Sequence, residues 1–203
     1  MSIRTLVIWS AFIPALALQP APVAAATPTG VHKPAAAQAD NAEMTAIFDA
    51  DQGDRKAVDK IDWSVVGPRD ETRRVRTKQL LDSGKLHTGD DFYHAAFVFQ
   101  HGSTPNDYLL AHTLAVVAAA LGRKDAPWIA AATLDRYLMN IGQKQIYGTQ
   151  FVSHNGGQMS QEPYDRTLVS DALRAALGVP PIKDQQQRLK DLQAEFGGTK
   201  GRR

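Results

Sequence analysis

The sequence predicts a mainly α-helical protein, a compact bundle of about six to seven helices with a small β-hairpin near residues 149–162. Helix start and stop signals recur along the chain, with Ser, Thr or Asp before Pro and with Gly after the last apolar residue. Loops of about three to five residues separate the three central segments, and such short links are typical of antiparallel neighbours. The hairpin is predicted from Asn155-Gly156, since this dipeptide readily adopts the positive φ angles of a two-residue turn.

Composition limits the function classes. The chain has 203 residues, of which 43% are hydrophobic and 22% are charged, as in a globular domain and unlike a disordered one. It has no cysteine, which excludes disulfide frameworks, thiolate zinc sites, iron–sulfur clusters and cysteine nucleophiles. Because the net charge is only +2, we expect no nucleic-acid partner.

The N-terminus has the pattern of a signal peptide over residues 1–26. Arg4 supplies a positive charge, an apolar run follows from Thr5 to Leu18, and Ala24-x-Ala26 fits a small-x-small cleavage site. The apolar run is shorter than the ~20 residues that span a bilayer. We therefore expect cleavage near Ala26, a periplasmic or secreted protein, and no stable membrane span after cleavage.

The rest of the chain divides at its composition changes and capping signals. Residues 27–40 are rich in Pro, Ala and Thr and predict a flexible leader, and residues 197–203 predict a disordered tail. A single helical domain is predicted between them, over residues 41–196. Its helices are predicted at 41–56, 68–82, 90–101, 105–121, 126–141, 165–177 and 184–196, with hairpin strands at 149–153 and 158–162.

Polar side chains are rare in the central helices, which makes the exceptions informative. Asp135 lies in an apolar stripe, where an unpaired carboxylate would cost several kcal/mol. Asp135 and its neighbour Arg136 point about 100° apart, so each needs a partner from another element. His101 ends an apolar helix, and we expect it to meet Asp135. A carboxylate that orients an imidazole makes a competent general base.

No motif in the sequence predicts a metal or a cofactor. The HExxH, phosphate-loop, dinucleotide-binding and Gly-x-Ser-x-Gly patterns do not occur. His94 and His101 are about 10 Å apart along a helix axis, which does not suit two ligands of one zinc ion. A metal site formed across helices by His101, His112 and Asp135 is a weaker alternative. We predict no cofactor and no metal.

Several polar motifs resemble a bacterial family known as a domain of unknown function. The family pattern combines an acidic-Gln-x-x-Arg start, a Gln-His pair, an Asp-Arg pair, a Gly-x-x-Gln-x-Tyr-Gly-Thr-Gln segment and a final Arg with Ala-Leu-Gly-x-Pro-Pro. In this chain the motifs read Asp51-Gln52…Arg55, Gln100-His101, Asp135-Arg136, Gly142…Gln145…Tyr147-Gly148-Thr149-Gln150 and Arg174…Ala176-Leu177-Gly178-Val179-Pro180-Pro181.

The resemblance covers roughly residues 45–182, with one departure. Where the family has an acidic residue soon after the Gln-His pair, this chain has Ser103, and Asp107 follows further on. The resemblance implies a shared polar site but supplies no reaction.

Three hypotheses follow for the function. The first is a hydrolase-type enzyme acting on an envelope component or a small molecule, with His101 as general base and Asp135 as its orienting carboxylate. Arg136 and Arg55 would stabilise negative charge. The second is a non-catalytic ligand-binding or interaction module, and the third is a purely structural buried polar network. The candidate catalytic residues are His101, Asp135 and Arg136, and the candidate ligand-binding residues are Asp51, Gln52, Arg55, Gln100, Gln145, Tyr147, Thr149 and Gln150.

Overall fold

The computed structural model describes residues 38–56, 61–153 and 158–197. The predicted signal peptide, residues 27–37 of the predicted leader, the predicted Asn155-Gly156 turn and the tail beyond residue 197 lie outside the described residues. In the described part, seven helices form and confirm the mainly helical prediction. They are α1 (Ala42–Gly53), α2 (Trp63–Asp82), α3 (Gly89–Gln100), α4 (Pro105–Ala120), α5 (Ala126–Asn140), α6 (Asp171–Ala176) and α7 (Ile182–Gly197).

The central helices begin where their capping signals predict. Thr88 and Asp91 form a capping box at the start of α3, in which each side chain accepts a hydrogen bond from the other residue's backbone N–H. Thr104 and Asp107 do the same at the start of α4. These local bonds satisfy amides that the first helical turn would otherwise leave unpaired.

Helix α2 begins earlier than the sequence predicts. Asp62 caps it by accepting hydrogen bonds from the Ser64 backbone N–H at 3.0 Å and the Ser64 hydroxyl at 2.6 Å. Pro68, predicted as the first turn, lies inside the helix. A proline at this position removes the N–H that would reach the Ser64 carbonyl, and the helix nevertheless runs through it from the Asp62 cap.

The predicted β-hairpin is not seen in the part of residues 149–162 that the structure describes. The described residues contain no strand, and the antiparallel pairing is a single bridge between Val152 and Ser160. The Gln145 side chain accepts from the Gln150 N–H at 3.0 Å and donates to the carbonyls of Gln150 and Gln161. Because a side chain takes these backbone groups, they are not available to extend a ladder.

Helix α6 is shorter than the predicted helix over residues 165–177. Asp165 accepts from the Thr167 N–H at 3.0 Å and the Thr167 hydroxyl at 2.8 Å, which closes a turn in place of a helix start. Ser170 then caps α6 by accepting from the Leu173 N–H at 3.3 Å.

The hydrophobic core lies among α1 to α5. Helix α4 packs against both α3 and α5, and α3 also contacts α1 and α2. Alanines on the facing sides let the helix backbones approach closely. The core residues include Met44, Leu80, Ala95, Val98, Phe99, Ala111, Leu114, Ala115, Ile129 and Ala130. Across the described ranges, no helix combines the length and the apolar character needed to cross a membrane.

Candidate functional site

The candidate site residues fall into two groups. The His101 cluster comprises Asp51, Gln52, Arg55 and His101, and it joins α1 to the end of α3. The loop clamp comprises Asp135, Gln145, Thr149 and Gln150, together with the backbone of Tyr147, and it holds the segment that follows α5. Gln100 and Arg136 lie between the groups, since the Arg136 Nη1 atom donates to the Gln100 carbonyl at 3.1 Å.

His101 is oriented by Asp51 and not by the expected Asp135. The His101 Nδ1 atom lies 3.1 Å from the Asp51 Oδ1 atom, across 50 positions of sequence. The Asp51 side chain is 1% exposed and that of His101 is 16% exposed. A carboxylate accepts hydrogen bonds, so this contact places a proton on Nδ1, and in the neutral imidazole it leaves Nε2 as the acceptor.

Asp51 is itself held by two residues of the same motif. Its Oδ2 atom accepts from Gln52 Nε2 at 2.8 Å, and its Oδ1 atom accepts from Arg55 Nη1 at 3.0 Å. These bonds explain the Asp-Gln-x-x-Arg spacing, because Asp51 lies in the last turn of α1 and the turn after Gly53 brings Arg55 back beside it. The motif therefore fixes a buried carboxylate beneath the imidazole.

An ion-pair network extends from this motif onto α2. Arg55 also pairs with the buried Asp70. Arg73 then joins Asp70 at 3.1 Å to Asp54 at 2.5 Å. Positive and negative groups alternate along this network, so the charge of Arg55 is compensated by two carboxylates.

Asp135 is the centre of the loop clamp. It is fully buried, and its two oxygens accept four hydrogen bonds. The backbone N–H groups of Ile146, Tyr147 and Thr149 donate at 2.8, 3.0 and 3.0 Å, and the Thr149 hydroxyl donates at 2.8 Å. With both oxygens occupied by the loop, Asp135 has a structural role in positioning it.

The Tyr-Gly-Thr-Gln motif is explained by the same loop. Gly148 has φ +80°, and a Cβ atom there would lie 2.0 Å from Gln185 Oε1 and 2.5 Å from the Tyr164 hydroxyl. Gln150 Nε2 donates to the Ala132 carbonyl at 3.2 Å and thereby ties the loop to α5. A glycine is required for both the backbone angle and the space.

Sequence reasoning missed the residues that support the loop from the other side. Arg174 is fully buried and donates to the carbonyls of Ile146 and Tyr147, each at 3.3 Å. Gln185 Nε2 donates to the Tyr147 carbonyl at 2.9 Å, and Gln161 Nε2 donates to the Gly148 carbonyl at 2.8 Å. Arg174 belongs to the last family motif, which was a usable signal. Gln161 and Gln185 lie in polar segments with no such signal.

Arg136 differs from the other buried and half-buried arginines because no carboxylate within the described ranges lies at ion-pair distance from it. Its Nε atom is buried and makes no hydrogen bond. Burial lowers the pKa of the Arg136 guanidinium, and the nearby positive charge of Arg55 lowers it further. Arg136 borders a cavity of about 220 Å³, which is also lined by Tyr108, Met139, Asn140, Gln150 and Val152.

The alternative metal site across helices does not assemble. The His112 Nδ1 atom lies 2.9 Å from the Ala130 carbonyl, which is the environment of a satisfied core histidine. In the part of the chain that the structure describes, no group of three His, Asp or Glu side chains is placed to hold a metal ion.

No family model, curated protein or solved structure matches this chain. The resemblance to a family of unknown function therefore stays a prediction that rests on the motifs alone. The function has to be argued from the geometry of the site.

Proposed function

We propose that this chain is an exported hydrolase-type enzyme in which His101 is the general base and Asp51 is its orienting carboxylate. The observation that carries the proposal is the 3.1 Å contact between His101 Nδ1 and the buried Asp51. An imidazole held by a carboxylate in this way is the arrangement that activates water or a hydroxyl nucleophile. Asp51 takes the role that the sequence assigned to Asp135.

The proposed chemistry needs only proton transfer and charge stabilisation. His101 Nε2 accepts a proton from a water molecule as the water oxygen attacks the electrophilic carbon of the substrate. The Asp51 carboxylate stabilises the resulting imidazolium without itself taking the proton. His101 then returns the proton to the leaving group when the bond to that group breaks. Arg136 provides guanidinium donors for negative charge on the substrate.

A ligand-binding module without catalysis is the second candidate. It is favoured by Arg136, which is buried at Nε and lacks an acidic partner among the described residues. The purely structural alternative is favoured only for the loop clamp, because the four hydrogen bonds to Asp135 satisfy both of its oxygens.

A hydrolysis assay with matched histidine variants tests the proposal. The mature chain is incubated with ester, amide and glycosidic substrates and with cell-wall fragments, and the products are measured by mass spectrometry. We expect His101→Gln to reduce turnover at least 100-fold, since general-base catalysis typically contributes 10²- to 10⁴-fold. His112→Gln is the control, because His112 contacts a backbone carbonyl in the bundle. Absence of turnover by the wild type, or full turnover by His101→Gln, would overturn the proposal.

Export forms the second part of the proposal and is tested separately. It is supported by the charged start, the short apolar run and the small-x-small site at Ala24-x-Ala26. Mass spectrometry of the chain from the periplasm or the medium should give an N-terminus just after Ala26. An intact chain recovered only from the cytosol would contradict export.

A further inference from the structure

Arg136 has one side of its guanidinium hydrogen-bonded and one side without a hydrogen bond among the described residues. Its Nη1 atom donates to the Gln100 carbonyl at 3.1 Å. The opposite edge, formed by Nε and Nη2, makes no hydrogen bond to the described residues, and its Nε atom is buried. This edge carries two parallel N–H donors, which match the two oxygens of a carboxylate.

One bound negative charge would neutralise the positive charge of Arg136. Arg55 lies near enough for its charge to lower the pKa of Arg136, but Arg55 is already paired with Asp51 and Asp70. Arg136 has no carboxylate at ion-pair distance in the described ranges. A half-buried cation without a carboxylate partner is costly, and one bound monoanion would compensate it.

The depression beside Arg136 is small and opens to solvent. The space of about 220 Å³ is below the ~300 Å³ at which ordinary small-molecule pockets begin. Its lining includes the apolar side chains of Met139 and Val152 and the ring of Tyr108. A carboxylate that bears a compact apolar group therefore fits both the charge and the walls.

We propose that the Nε–Nη2 edge of Arg136 binds the carboxylate of a small monocarboxylate ligand, whose apolar part occupies the cavity beside Tyr108, Met139 and Val152. The further claim that this ligand is the substrate rests on the proposed function. Arg136 links the two sites because it donates to the carbonyl of Gln100, the residue that precedes His101. As a binding site it can be tested without any reaction.

Benzoate and its neutral isostere benzamide are suitable probes, with binding to the mature chain followed by isothermal titration. In parallel, ¹H–¹⁵N NMR follows the Arg136 Nε–H signal. We expect saturable benzoate binding, at least tenfold weaker binding of benzamide, and a downfield shift of the Nε–H proton. Arg136→Lys keeps the charge but loses the two-donor edge, and Arg136→Gln loses both, so each should weaken benzoate binding at least tenfold.

Arg74 offers a matched control. Its Nη1 atom donates to the His101 carbonyl at 2.9 Å, on the same turn, but its Nη2 atom is paired with Glu71. Arg74→Lys should therefore bind benzoate within twofold of the wild type. No saturable binding to the wild type, equal binding of benzamide, or unchanged binding by both Arg136 variants would overturn the inference.

The two proposals can fail independently. If benzoate binds as expected while His101→Gln leaves turnover intact, the proposed function fails and the anion site stands. If turnover depends on His101 while benzoate binding does not depend on Arg136, only the anion site fails.

Discussion

The Nδ1 atom of His101 and the Oδ1 atom of Asp51 lie 3.1 Å apart, although 50 positions separate the two residues in the sequence. Helix α1 contributes the carboxylate and the end of α3 contributes the imidazole. The contact converts two separate motifs, Asp-Gln-x-x-Arg and Gln-His, into one geometric unit.

Removal of the Asp51 charge should destabilise the fold. Asp51→Asn leaves the buried side of Arg55 with one carboxylate in place of two, and we expect a loss of about 3 kcal/mol in the free energy of unfolding, as for broken buried ion pairs. Urea denaturation of the mature chain measures this. Asp82→Asn is the control, because the Asp82 side chain is 62% exposed in its pair with Lys78 and its loss should cost less than about 1 kcal/mol. Equal losses in the two variants would contradict the buried role of Asp51.

The loop clamp should depend on Asp135 for its order. Asp135→Ala leaves the N–H groups of Ile146, Tyr147 and Thr149 without their acceptor, and unmade buried hydrogen bonds cost about 1–3 kcal/mol each. We expect the free energy of unfolding to fall by more than about 3 kcal/mol. The fall is smaller than the sum over all the lost bonds because part of the loop can become hydrated. Hydrogen exchange should show faster exchange at these three amides. Thr149→Val removes the two hydroxyl bonds, to Asp135 and from Gln150 Nε2, but keeps the three backbone bonds to Asp135, and should cost about 1–2 kcal/mol. Unchanged exchange in Asp135→Ala would show that the loop is held by other contacts.

Alanine substitutions at Gly148 and Gly142 separate the cost of backbone strain from the cost of overpacking. Their φ angles are +80° and +75°, but a Cβ atom would clash at Gly148 and would meet nothing within 4 Å at Gly142. Gly142→Ala should therefore cost about 1 kcal/mol, from the left-handed backbone alone. Gly148→Ala should cost at least about 2 kcal/mol more, since overpacking adds 1–3 kcal/mol. Thermal or urea unfolding measures both, and similar losses would mean that the loop can move away from Gln185 and Tyr164.

His94 should make stability depend on pH. Burial lowers the pKa of His94 below its ordinary value of 6.5, its ring stacks on Phe48 at 4.2 Å between centroids, and its buried Nδ1 atom makes no hydrogen bond. Near and below pH 6.5 the unfolded chain binds a proton more readily than the folded chain, so stability falls as the pH is lowered through this range.

The measurement for His94 is the free energy of unfolding between about pH 5 and pH 8. His94→Phe keeps an aromatic ring beside Phe48 but cannot take up a proton, so its stability should fall less over this range. A wild-type curve parallel to that of His94→Phe would rule out a contribution from His94.

The helix bounds that depend on local capping residues were predicted from the sequence. The capping residues Thr88 and Thr104 and the glycines after the helices place α3, α4 and α5 within about one residue of their predicted bounds. The start of α2 was misplaced because Pro68 was taken as the first turn, whereas the Asp62 cap starts the helix at Trp63, five residues before Pro68. The predicted hairpin is not seen because the side-chain amide of Gln145 binds backbone groups of Gln150 and Gln161, which the strand and turn pattern does not reveal.

The residues of the candidate site were easier to predict than their partners. A polar side chain on an apolar helix face must find a partner, so Asp135 and His101 stood out. Which partner it finds depends on helix packing: Asp135 bonds to the loop, and His101 bonds to Asp51. Gln185 was missed because its segment reads as polar and exposed, and Arg174 was missed because it was quoted in the last family motif but given no role in the site.

The most direct test of the account compares the free energies of unfolding of His101→Gln and Asp135→Ala in urea under the same conditions. If His101 belongs to a site and Asp135 to the scaffold, His101→Gln should change the value by less than about 1 kcal/mol, whereas Asp135→Ala should lose more than about 3 kcal/mol. A loss in His101→Gln as large as that in Asp135→Ala would contradict this division. It would place His101 in the structural network instead.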